Sequence, residues 1–159
     1  MPDSNRDISA WWLIGLWLVL VVVASAMSGP IVAAWMHDPS LRLGAFVFLL
    51  WMIAVAVHWQ FPMDAWPWHR MGNAAFAAGA LVLGILGELQ ALVYLGCAFL
   101  LALPVEKGLL RVSLGFAGVL WMPLWAWSAG PYLGSALNLV SLGLAVILLL
   151  VSLVLRLAL

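Results

Sequence analysis

Along this chain, apolar residues come in runs long enough to cross a bilayer, and polar residues gather in the short gaps between them. A hydrocarbon core about 30 Å thick needs roughly 20 apolar residues at 1.5 Å rise each. The first uncharged run of that length is 10–36, Ala10 to Met36, between Asp7 and Asp38. The second is 41–60, bounded by Pro39 and Pro62. The third, 73–103, runs from Asn73 to Leu103 and is interrupted only by Glu88 and Gln90. Two more follow at about 108–128 and 132–157, separated by Ala129-Gly130-Pro131. Proline and glycine punctuate the boundaries, as they do where helices stop. The pattern predicts an all-α fold. It is a single membrane domain over 1–159, a polytopic integral membrane helix bundle of about five transmembrane helices.

Two runs admit a second reading. Ala24-Ser25-Ala26 resembles a signal-peptide cleavage site, but the preceding segment carries Asp3 and Asp7 against Arg6 and lacks the positive charge of such leaders. The third run, as one straight helix, would be about 45 Å long, an excess that tilt absorbs at little cost. Splitting it at Gly87-Glu88 gives two pieces short for a crossing, so one long helix is expected, with a re-entrant break there as the alternative.

Composition narrows the class further. Of the 159 residues 67% are hydrophobic and 8% charged, against about 25% charged in a soluble domain. Six bases balance six acids, so there is no basic surface to neutralise phosphates, and nucleic acid is excluded as a partner. The single cysteine, Cys97, excludes an internal disulfide and a Cys-rich zinc site. No cofactor or metal is expected. Most of the eleven tryptophans fall near span ends, where an indole can bury its ring and wet its N–H.

An odd number of spans puts the termini on opposite sides. Arg42, Lys107, Arg111 and Arg156 then share one side, and Arg6 and Arg70 the other. By the positive-inside rule the N-terminus is expected outside and the C-terminus in the cytoplasm of a bacterial inner (plasma) membrane.

Glu88 falls at the middle of the third run, the one acid expected within a span. An acid at that depth is neutral or faces protein or water, so Glu88 is the first functional candidate. In the last run, Gly130, Gly134, Asn138, Ser141, Ala145 and Ser152 form a stripe of small and polar residues at helical spacing. Gly130 and Gly134 are expected to make a close helix-packing seam, with Asn138 and Ser141 hydrogen-bonding inward. The loop between the second and third runs carries His58, Asp64, His69 and Arg70 at headgroup level. Their spacing matches no metal-binding motif.

Enzyme signatures such as G-x-S-x-G and H-E-x-x-H are absent from the sequence. Catalysis is not the expectation. The leading expectation is a small non-catalytic membrane subunit or assembly factor whose partners are the lipid bilayer and other membrane proteins or its own copies. An oligomeric proton, ion or small-solute transporter built on Glu88 is the alternative. A membrane-embedded enzyme acting on a lipid-linked substrate near the His58–Arg70 loop is the second.

Overall fold

The computed structural model describes residues 29–59, 68–105 and 107–158, with Gly15 and Leu18 as isolated helical positions; the side chains of Ser40 and residues 68–70 fall outside that description. Seven α-helices follow one another among these residues: α1 (Gly29–His37), α2 (Gly44–Val57), α3 (Trp68–Leu86), α4 (Gln90–Ala102), α5 (Gly108–Ala117), α6 (Pro123–Leu133) and α7 (Leu137–Leu157). Short 3-10 turns at Pro39–Leu41, Gly118–Trp121 and Gly134–Ala136 join or extend them. No strand occurs among the described residues, so the chain is all-helical.

The third run is not one helix. α3 stops at Leu86, and α4 starts at Gln90 and folds back against it as an antiparallel hairpin. The stop is a Schellman motif: Leu89 N–H donates to Gly84 O at 2.8 Å, and Glu88 N–H reaches Ile85 O at 3.4 Å. Such a motif needs one left-handed residue, usually glycine, and here Glu88 takes it at φ 54°. Small residues then let the arms close. A Cβ on Gly96 would fall 3.0 Å from Ala77 O and 3.1 Å from Leu81 N. A Cβ on Gly84 would lie 2.7 Å from Val93 N. The expected position of Glu88, buried at mid-span, is corrected: it lies exposed on the turn at the hairpin's end.

From the hairpin the bundle builds inward. Phe99 of α4 packs between Phe76 of α3 and Phe116 of α5, tilted against the first and edge-on to the second, with ring centroids 4.7 and 5.0 Å away. Gly115 leaves room for that ring, since its Cβ would meet Phe99 at 2.9 Å. α2 is central, and its Trp51, Ala54 and Val55 are wholly buried with Tyr94 and Ala98 of α4, Leu114 of α5 and Ala145 of α7.

The last two runs also divide differently. The break falls at Met122, whose extended backbone (ψ 151°) precedes Pro123 at the start of α6. α6 then runs through Pro131 and ends at Gly134, which has φ 51° and ψ −127°. Among the described residues Gly130 and Gly134 make no close helix contact within the chain. Open space surrounds Gly134, and a Cβ on Gly130 would meet only Leu137 Cδ2 at 3.9 Å. Among the described residues one helical stretch, Pro123–Leu157, is long and apolar enough to cross a membrane; the other apolar helices are shorter.

Gly134 therefore matters through its backbone. Replacing it by Ala or by Leu should cost a similar 1–3 kcal/mol of stability, because both residues pay for the same positive φ. Thermal or denaturant unfolding checks this. A packing seam would instead make Leu much worse than Ala.

Candidate functional site

Most polar side chains inside the bundle lie towards its two ends, and with Trp51 between them they form the candidate site. At one end, which we call the His58 end, α2 finishes beside the last turns of α7. The His58 ring is buried with Nε2 2.9 Å from the Ser152 carbonyl, and because a carbonyl only accepts, Nε2 carries the proton. Ser152 Oγ in turn donates to Ala54 O at 3.1 Å. Trp59, the next residue, pairs by its backbone with Val105 after α4. Arg111 reaches the same place from the first turn of α5: its Nε and Nη2 both donate to Val105 O, at 2.8 and 2.7 Å. Arg111 has no exposed surface at all. A charge-assisted pair of bonds to one carbonyl thus fixes the turn between α4 and α5.

At the opposite end, Asn138 ties the start of α7 to the turn before α2. Its Nδ2 donates to Pro39 O at 2.8 Å, and its Oδ1 accepts from Leu43 N–H at 3.3 Å. Ser141, one turn on, accepts from Trp125 Nε1 at 2.8 Å and donates to Leu137 O at 2.8 Å. Trp35 Nε1 of α1 donates to Trp121 O at 3.2 Å. Between the two ends, Trp51 Nε1 donates to Leu114 O at 2.8 Å and joins α2 to α5. Trp35, Phe48, Trp51 and Trp121 form one ring cluster, with Phe48 and Trp121 centroids 5.1 Å apart and edge-on. Within it Trp121 Nε1 has no acceptor among the described residues.

Several sequence candidates therefore part company. Asn138 and Ser141 are brought into helix-to-helix bonds, and Ala145 and Ser152 continue their buried face. Glu88 lies exposed on the Schellman turn at the hairpin's end. His58 was expected in an exposed interfacial loop; it is buried, since α2 ends only at Val57 and carries it under α7. Asp64 lies outside the described residues, and His69 and Arg70 fall in the first turn of α3 with side chains outside the description.

Arg111 was the residue missed. Its signal is a cation in the first turn of an apolar helix, inside the run and beyond the Lys107 that marks its start. Among the described residues no group of three His, Cys, Asp or Glu side chains could hold a metal ion. Most of the bonds between segments join a side chain of one to the backbone of another, and Trp125 to Ser141 joins two side chains. Their chemistry is cross-linking. No protein-family model matches the chain, and no curated protein or solved structure is similar to it.

The Glu88 turn generates a test. Glu88→Gly should raise stability by about 1 kcal/mol, because glycine adopts the left-handed C′ position without the Cβ penalty. Thermal unfolding of the purified protein reads this. A loss of stability would mean the carboxyl is bonded inside the structure.

Proposed function

We propose that the chain is an integral membrane helix bundle of six crossings that serves as a non-catalytic subunit or assembly factor. One observation carries the membrane reading: large apolar side chains cover the outside while polar ones are bonded within. Phe46, Leu49 and Ile53 make one exposed face of α2, at 59%, 56% and 48% exposure. Val82, Leu83 and Leu86 do the same on α3, and Ile147, Leu150 and Val154 on α7. Exposed apolar faces of this kind mark protein or membrane contacts and are the natural surface in lipid. Helices of 13 or 14 residues are short for a bilayer about 30 Å thick, and local thinning with flanking tryptophans accommodates the mismatch.

The hairpin adds a crossing, and an even count puts both termini on one side. Among the described residues, the His58 end gathers Arg70, Lys107, Arg111 and Arg156, and the opposite end holds Arg42. Four cations against one is a larger bias than four against two. It favours the cytoplasm for the His58 end and for both termini, replacing the expectation of an external N-terminus.

The subunit reading rests on the use of the interior polar groups. Those of α2, α5 and α7 are spent on bonds between helices, and the exposed faces offer apolar surface to partners. The transporter alternative needed an acid at mid-membrane, and Glu88 is on an exposed turn.

Reporter fusions test the arrangement. Fusions at Met1 and at Leu159 should both give cytoplasmic signals, and an insertion at Glu88 an external one. Termini on opposite sides would contradict six crossings. Purification from detergent-solubilised membranes should bring a stoichiometric partner or a defined oligomer; a lone monomer with catalytic activity would overturn the subunit reading.

A further inference from the structure

The apolar exterior has one long groove. α5 and α7 run side by side in opposite directions but scarcely touch, and α2 lies behind them. Near the His58 end the gap between them is a hollow of about 260 Å³, lined by Lys107, Leu110 and Ser113 on one wall and Leu155 on the other. Further along, the same two walls enclose about 470 Å³, with Phe116 and Leu120 facing Leu148 and Val151. Trp125 lines this deeper part. The residues step by three or four along each helix, so the two hollows follow a single seam. From Lys107 to Leu120 that seam runs roughly 20 Å at 1.5 Å per residue, which exceeds the roughly 15 Å of hydrocarbon in one leaflet.

The ends of the seam differ in charge. Lys107 stands exposed at the mouth, and Arg156 follows Leu155 in the last turn of α7, also exposed. No acidic side chain lines either hollow; Glu106, beside Lys107 in sequence, lies outside the described residues. The first turn of α5, which opens at the mouth, has no side-chain cap, so its amide dipoles add to the positive field.

We propose that this groove binds an anionic phospholipid of the cytoplasmic leaflet, one acyl chain along the α5–α7 seam and the phosphate headgroup between Lys107 and Arg156. The assignment rests on the membrane reading above and gives it a specific ligand class. Apolar walls supply the affinity for a chain, and they would hold any lipid. The two exposed cations at this end supply the choice of headgroup: a net anionic diester gains both attractions, whereas the quaternary amine of a zwitterionic headgroup cancels them. The orientation agrees with this, because the His58 end is the side that carries the excess of cations and so faces the anionic leaflet.

The test uses the full chain, extracted from membranes in mild detergent, stripped of lipid and titrated separately with phosphatidylglycerol and phosphatidylcholine of the same chain length. Native mass spectrometry reads retention, and thermal unfolding reads the stabilisation. Phosphatidylglycerol should bind more tightly, and Lys107→Gln and Arg156→Gln should each weaken it about fivefold, with phosphatidylcholine unaffected. Both residues are exposed, so neither change should disturb folding. Equal affinity for the two lipids would overturn the proposal and leave only an apolar groove. So would a groove filled by a second copy, seen as a dimer that excludes lipid. If the chain stays soluble after carbonate washing of the membranes, the membrane reading itself fails, and that result is separate from a titration in which a membrane-extracted protein shows no preference.

Discussion

The closeness of α3 to α4 is the constraint on which the rest depends. Gly84 and Gly96 bring one helix backbone against the other with no space for a side chain between them. Such close contact lets the two helices gain van der Waals packing along their whole length, which gives the hairpin its cohesion. Once the hairpin closes, its turn must lie at one end of the bundle and its open arms at the other. The exposed position of Glu88 follows. Phe99 carries the hairpin onto α5, and α4 carries it onto α2.

Side-chain bonds then set how the remaining helices register. Trp51 holds α2 to α5, Ser152 and His58 hold α2 to α7, and Asn138 holds α7 to the turn before α2. Each joins a side chain to a main-chain atom of another segment. A group of that kind buried without a partner would cost about 1–3 kcal/mol, so these positions specify an arrangement more than they add stability. Arg111 is the extreme instance, a buried guanidinium with two donors on one carbonyl at the α4–α5 turn. Replacing an ion of this kind is costly chiefly because the bonded carbonyl is left behind.

Much of this was legible in the sequence, and the errors have physical causes. The all-helical class follows from run lengths and composition. The stripe Asn138, Ser141, Ala145 and Ser152 marks a buried face because it lies on one unbroken helix, α7. Its extension back to Gly130 and Gly134 fails because the helix stops at Gly134, and spacing counts only within one helix. The hairpin was hidden by a substitution in its own signal: the left-handed position usually marked by glycine is held by Glu88, one place after Gly87. A charged residue flanked by Gly87 and Gln90 could have been read as a turn. It was read instead as an acid buried by its neighbours' hydropathy. Arg111 was treated as a marker of orientation because linear sequence does not reveal that the carbonyl of Val105 turns to meet it.

The central claim is that residues 73–103 fold back on themselves, and a single distance decides it. Spin labels at Ala75 and Leu101, in a chain whose Cys97 is replaced by serine, sit equally far from the turn at Glu88. Across a hairpin of packed helices their separation should be about 10–20 Å, given interaxial distances of 8–10 Å plus the label arms. A single straight helix would hold them roughly 40 Å apart. A pulsed electron resonance measurement in lipid that returned the longer distance would contradict the hairpin, and with it the six crossings and the common side of the termini.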